Sequence, residues 1–356
     1  MKVHQLNSTL VFGDAITNHT LEIDKVLRKW GFDTHIFAKS IDYKNLPASI
    51  DLDKHYKKYM QSEEDLLIYH YSVYCENINL YKDTNNLKIF EYHNITPQKY
   101  FQGYDENIWS ICKQGREELR GLTACTLSMG DSEYNRQELI KNGFREDTSD
   151  VLPIFLHYDD YESVELNYNL YEKFDDGFVN ILFVGRIAPN KKIEDLIKAL
   201  YFYKKINTRS RLFIVGARFL DYYDKELNDF VNALGIKDVY FTNKVSLSDL
   251  KTYYELADIF LCMSEHEGFC VPLVESMYFK IPIIAYNSTA IPHTLEKSGI
   301  LINQKKYIEI AELMNLIAED EKLKSRIIAG QNKRLHYFDR DNVEKKLKTI
   351  IERAVS

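Results

Sequence analysis

The stretch SEHEGFCVPLVESM, from Ser264 to Met277, sets Glu267 eight positions before Glu275. The apolar run Ile259-Phe260-Leu261-Cys262 just ahead of it predicts a buried parallel strand. Pro272 falls where the first turn of a helix would begin, a place that costs proline no hydrogen bond. Between strand and helix lies a loop with Gly268, whose missing side chain lets backbone approach a ligand closely. The helix start offers free N–H groups and a partial positive charge, which suit phosphate. Carboxylates do not bind phosphate; they accept hydrogen bonds from hydroxyls. Phosphate between two hydroxyl-bearing groups describes a sugar nucleotide.

With these residues the segment resembles the Glu-x7-Glu motif of retaining glycosyltransferases of the GT-B fold, the large group called family 4 or glycosyl transferases group 1. The resemblance implies an α/β architecture of two facing doubly wound, Rossmann-like domains with a central cleft. It also implies roles. Glu267 would lie against the hydroxyls of the transferred sugar and Glu275 would reach the nucleotide ribose. Gly268, Phe269, Cys270 and Val271 would form the loop under the donor. Either glutamate alone reads equally well as a solvated side chain; the pair in this setting does not. One departure stands out, since Cys270 occupies a position where the family usually has Gly.

Length and composition agree with two domains. A chain of 356 residues exceeds the usual size of a single core. Its 45% hydrophobic and 28% charged content is that of an ordinary globular protein. A net charge of −7 argues against nucleic acid as the main partner. The first residues lack the apolar core of a signal peptide, and no run approaches a transmembrane span, so a cytoplasmic setting is expected. Five cysteines without a CxxC pair read as reduced thiols.

Strands and helices alternate along both halves, which predicts parallel sheets. In the first half the strand candidates are 3–10, 34–37, 65–69, 87–92 and 124–129. Ile16, Ile23, Leu27 and Trp30 fit one helical face, with Asp14 as its cap and Gly31 as its stop. A second series begins at 178–185 and continues at 211–216, 239–242, 259–262, 283–286 and 300–303. Residues 157–177 show no clear period and read as the connection. The expected division is therefore an acceptor-binding domain over 1–165, a nucleotide-sugar domain over 166–338, and a last segment, 339–356, whose helix returns to the first domain.

Every candidate residue follows a predicted strand, where ligands of open parallel sheets sit. Gly185-Arg186, with Lys191 five residues later, resembles the family's Gly-Arg…Lys signature, whose two cations grip the donor's diphosphate. Negative charge builds on that leaving group, and a forked guanidinium with a compact ammonium can follow it without a metal. The rival reading, two surface cations at a helix start, is weakened because that end of a helix disfavours positive charge. His93, in YHNITP, matches a family position facing the transferred sugar, where it would orient rather than act as base. Gly13-Asp14 is a weaker donor-binding candidate, equally explained by a turn and a cap. Gly216 and Val245 are candidates for the wall around the base from topology alone.

No metal site is expected: the ten histidines form no recognisable ligand spacing with carboxylates, and no cofactor is implied beyond the donor. The implied partners are a UDP- or GDP-linked sugar and a glycan, lipid-linked or other hydroxyl acceptor. Lys54, Lys57 and Lys58 with Tyr56 and Tyr59 offer a peripheral contact with the inner face of a membrane, although a solvated helix face explains them better. The reaction implied is retaining, metal-independent hexosyl transfer, in cell-surface polysaccharide or glycan synthesis by analogy. Two rivals share the fold. A sugar-nucleotide epimerase would need acid–base carboxylates around the hexose, and a non-catalytic partner subunit tends to lose the glutamates and the cations.

Overall fold

The computed structural model describes residues 1–11, 13–42, 47, 50–59 and 62–356. Thirteen strands run as β1 Val3–Val11, β2 Ile36–Asp42, β3 Ile50–Leu52, β4 Leu66–Tyr71, β5 Leu87–Tyr92, β6 Leu127–Gly130, β7 Ser149–Val151, β8 Val179–Val184, β9 Ser210–Val215, β10 Val239–Asn243, β11 Ile259–Cys262, β12 Ile283–Tyr286 and β13 Ile300–Ile302. They form two sheets, ordered β3-β2-β1-β4-β5-β6-β7 and β10-β9-β8-β11-β12-β13. Every pairing is parallel. Each order runs outward one way, returns to its first strand and runs outward the other way. That reversal makes both sheets doubly wound, with switch points between β1 and β4 and between β8 and β11.

The chain divides into two compact units, 1–102 with 106–156 and 338–356, and 103–105 with 157–337. In the first unit Leu66, Ile68 and Ile89 meet Ile23, Val26 and Leu27 of helix Ala15–Lys29. On the opposite face Tyr69 and Phe90 pack on Tyr81, and Phe90 on Phe144. Helix Arg340–Val355 adds Val343, Leu347, Ile350 and Ile351 to the first of these cores, so the last helix does belong to the first unit. The four central strands of the second sheet are buried, and Ile181, Leu182, Phe213, Ile214, Phe260, Leu261, Ile283 and Ile284 have no exposed surface.

The connection differs from the expectation. Residues 157–177 carry two short helices, Tyr158–Glu162 and Tyr168–Phe174, and the units divide after Leu156 rather than after 165. The segment is anchored within the second unit. The Asn167 amide N–H donates to Thr252 Oγ1 at 2.9 Å and its side chain to Asp249 Oδ1 at 2.7 Å. Phe174 sits edge-on to Phe213, with centroids 4.8 Å apart. These contacts are to residues dozens of positions away, which is why no local period announced the helices.

Candidate active site

The second sheet's switch point brings together the loops that follow β8 and β11. Ile181 pairs with Ile259 and Leu182 with Phe260, so the two strands end side by side. Their loops are stapled by Asn190, a buried residue: its backbone carbonyl accepts from the Glu265 N–H at 2.9 Å and its side chain donates to the His266 carbonyl at 3.0 Å. Asn190 carries no charge, and its partners lie more than seventy positions away along the chain.

Gly185 and Gly216 end β8 and β9 with φ near +153°. A Cβ on Gly216 would stand 2.0 Å from the Gly185 carbonyl oxygen, so only glycine lets these strand ends approach. Arg186 follows with an exposed side chain, its guanidinium 4.8 Å from the centre of the Phe219 ring. The chain then turns through Pro189–Lys191, with Lys192 in the left-handed region at φ 54°.

Lys191 and Glu267 meet at 2.6 Å, Nζ to Oε2. Burial pulls the Lys191 ammonium down, but Glu267 and then Cys270 more than reverse it and hold it above its ordinary value. Lys191 is therefore a fixed positive charge at neutral pH. Glu267 is itself held by its backbone N–H, which donates to Thr289 Oγ1 at 2.8 Å. The neighbouring carboxylate, Glu265, faces two cations, with Lys305 at 2.9 Å and Lys192 at 3.8 Å. It stands outside the Lys191–Glu267 pair.

Helix Val271–Tyr278 begins at Cys270, whose φ of 71° is a conformation that side chains rarely adopt. This explains the departure from Gly noted in the sequence: the backbone keeps the glycine-like turn and Cys270 bears the strain. Its thiol bonds to Cys262, a contact that with burial raises the Cys270 thiol well above its ordinary value. Phe269 is buried, and its carbonyl accepts from Thr294 Oγ1 at 2.6 Å, which pins the loop ahead of the helix N-terminus. Glu275 lies one turn along. Both its oxygens are engaged, Oε1 accepting from Tyr161 at 2.7 Å and Oε2 from Tyr254 at 2.6 Å. Burial raises its carboxyl, and the two tyrosine hydroxyls oppose that rise. Val245, half-buried, lies on the loop after β10.

Three candidates lie in the first unit. Gly13 adopts φ 77°, and Asp14 caps helix Ala15–Lys29, its Oδ2 accepting from the backbone N–H of Ile16 at 3.1 Å and of Thr17 at 3.2 Å. The cap engages Oδ2 of Asp14. His93 differs from the expectation. Its side chain has no exposed surface, Nδ1 stands 2.9 Å from Asp131 Oδ1 and Nε2 stands 3.0 Å from His70 Nδ1. Both ring nitrogens are thus engaged inside the unit, and in this structure the imidazole has no free nitrogen to offer a sugar. Burial pulls the His93 ring down, but Asp131 and Glu91 raise it to about 9.

Residues 172–334 match the family model described as glycosyl transferases group 1. The GalNAc-alpha-(1->4)-GalNAc-alpha-(1->3)-diNAcBac-PP-undecaprenol alpha-1,4-N-acetyl-D-galactosaminyltransferase of Campylobacter jejuni is 28% identical over 187 residues, covering 50% of each chain. The O-antigen chain mannosyltransferase B of Escherichia coli is 27% identical over 122 residues, covering 34% of this chain and 32% of its own. The chain spans about half or less of the length of these curated relatives. Among solved structures, Anabaena Alr3699/HepE in complex with UDP and glucose superposes with a TM-score of 0.78 at 16% identity, covering 99% of both chains. WaaG, a glycosyltransferase involved in lipopolysaccharide biosynthesis, gives 0.70 at 14% identity, covering 98% of this chain and 99% of its own. These likenesses establish the GT-B fold.

Proposed function

We propose that this chain, whose residues 172–334 match the family model of glycosyl transferases group 1, is an enzyme that moves a hexosyl group from a nucleoside diphosphate sugar to an acceptor hydroxyl. The observation that carries the reading is the Lys191–Glu267 pair at the switch point of the second sheet, with Glu267 four positions ahead of helix Val271–Tyr278 in the same loop. Such a place joins a fixed cation, oriented N–H groups and a carboxylate, the three features a sugar nucleotide needs.

Arg186 and Lys191 take the diphosphate. As the bond from the anomeric carbon to the phosphate oxygen breaks, charge grows on that oxygen, and the two cations and the helix N-terminus stabilise it without a metal at the breaking bond. Glu267 keeps lone pairs for the hexose hydroxyls while one oxygen holds Lys191. Glu275, aligned by Tyr161 and Tyr254, accepts from the ribose hydroxyls with the lone pairs those tyrosines leave. The acceptor oxygen attacks from the face the phosphate leaves, and its proton passes to a phosphate oxygen, so configuration is retained. The relatives' names favour a cell-surface glycan or its lipid-linked precursor as acceptor, and the reading puts the reaction on the cytoplasmic side, free or at the membrane's inner face. Among the described residues no helix is long and apolar enough to cross a membrane.

The test is a kinetic split across a panel of UDP- and GDP-linked hexoses. Glu275→Ala removes ground-state contacts and is expected to raise the donor KM. Glu267→Ala removes contacts to a ring that becomes oxocarbenium-like, so kcat should fall more than KM rises. Each loss is expected at about ten- to a hundred-fold, the effect of one charged hydrogen bond of ~1.5–3 kcal/mol. An inverted anomeric configuration in the NMR spectrum of the product would sink the retaining mechanism, and full activity in Arg186→Ala would sink the diphosphate assignment.

A further inference from the structure

The first unit holds a second constellation with no part in the transfer just described. His70 is the penultimate residue of β4, Glu91 lies in β5 opposite it in the parallel ladder, and His93 follows two positions on. Register and the two-residue period therefore set all three side chains on one face of the sheet. None of the three has exposed side-chain surface. His70 Nδ1 lies 2.9 Å from Glu91 Oε2 and 3.0 Å from His93 Nε2, and the third side of the triangle, His93 Nε2 to Glu91 Oε2, is 4.0 Å.

The outer partners determine what these atoms carry. Gln5 Nε2 donates to the Thr20 carbonyl at 3.1 Å, which turns Gln5 Oε1 toward His70 Nε2 at 2.9 Å. An oxygen there requires the proton on His70 Nε2, leaving Nδ1 bare in the neutral ring. Asp131 in the same way requires the proton on His93 Nδ1, leaving Nε2 bare. Glu91 Oε1 is taken by His19 Nε2 at 2.7 Å, whereas Oε2 is buried without a hydrogen-bond partner. With both rings neutral, three lone pairs would converge on one point in a dry interior, a repulsion that either a proton on His93 Nε2 or a cation among the three atoms relieves.

We propose that His70 Nδ1, Glu91 Oε2 and His93 Nε2 form a buried three-residue site for a divalent transition metal, zinc by the chemistry of its donors, with a water as the fourth ligand. Two imidazoles and a carboxylate are a zinc donor set, and bonds of about 2.0–2.1 Å in a tetrahedron require ligand edges of about 3.3 Å. The observed sides of 2.9, 3.0 and 4.0 Å bracket that edge. The outer shell is already complete: Asp131 orients His93, Gln5 orients His70, and His19 orients Glu91, the pattern that fixes tautomers around a bound metal. A proton shared between the two histidines is the rival occupant. It bonds the two rings and leaves Glu91 Oε2 with only the His70 edge at 2.9 Å, whereas a metal takes a lone pair from all three atoms.

The site makes no use of the transfer reading and stands or falls apart from it. The experiment measures metal content of the full chain by mass spectrometry after gel filtration in metal-free buffer, and thermal unfolding after refolding with and without one equivalent of zinc chloride. About one zinc per chain and a raised midpoint with zinc are expected. Cobalt in place of zinc should give the strong visible bands of a tetrahedral ion. His70→Gln/Glu91→Gln should lose the ion and the response, and Asp131→Asn, which keeps all three ligands, should bind about 10–100-fold more weakly. A wild-type chain that retains no zinc, and whose midpoint zinc leaves unmoved, would overturn the proposal in favour of the proton. So would undiminished zinc in the double variant, which would move the ion to Cys262, Glu267 and Cys270, whose donor atoms also lie within 4.8 Å of one another.

Discussion

At the scale of single residues, the candidate site is governed by what each charged group is bound to before any substrate arrives. Glu275 is an example. Its carboxyl is raised by burial, so its charged form costs stability above the ordinary carboxylate range, and that cost disappears as pH falls through the raised value. The Tyr161 and Tyr254 hydroxyls hold the charged form. Tyr254→Phe should therefore destabilise by about 1.5–3 kcal/mol at pH 8, and the loss should be smaller at pH 4, below the ordinary carboxylate value, where Glu275 is protonated. Urea unfolding at the two pH values checks this. Gly216 makes a steric case. An added Cβ would meet the Gly185 carbonyl at 2.0 Å, and the backbone is in a region alanine avoids, so Gly216→Ala should cost about 2–4 kcal/mol by the same assay. Glu267, Glu275, Arg186 and Lys191 were legible in the sequence because their spacing follows strand ends. Asn190, Tyr161 and Tyr254 were not, because nothing near them in the chain marks their partners.

At the scale of elements, capping and register decide more than propensity does. Helix Ala15–Lys29 starts where Asp14 satisfies two N–H groups and stops before Gly31, at φ 86°, as its residue types predict. Asp14→Ala should lower the unfolding free energy by about 1 kcal/mol, and Asp14→Ser should restore most of it. Donor affinity measured by calorimetry should be unchanged in both, since the cap and not the donor occupies the carboxylate. Strands β3 and β7 escaped the sequence reading because three residues are too few to show alternation. Strand β2 runs past the expected 37 to Asp42, its outer residues exposed and polar, so that hydrogen bonding to β1 rather than burial extends it.

At the scale of the whole chain, the last helix is the element with the largest leverage. Val343, Leu347, Ile350, Ile351 and Ala354 are buried against Val3, Leu66, Ile68, Ile89 and Met129. A fully buried aliphatic side chain contributes about 1.5–3 kcal/mol, so the five together supply on the order of 10 kcal/mol, comparable with the net stability of a domain. Ending the chain at Asp339 should therefore unfold the first unit. Hydrogen exchange followed by mass spectrometry should show protection lost from β1, β4 and β5 and kept in β8, β9 and β11. Loss of protection throughout would show that the second unit depends on the first.

The sequence by itself determined the fold class and the second unit's motifs. Buried parallel strands must be apolar along their length, and loops at their carboxyl ends must carry the glycines, cations and carboxylates that a ligand requires. Those demands are local, and they survive in the order of residues. Only the tertiary structure decided that His93 is enclosed rather than open, that Glu275 already holds two tyrosines, and that His70, Glu91 and His93 converge. Ladder register sets such neighbours, and it joins residues more than twenty positions apart without leaving a period in the chain.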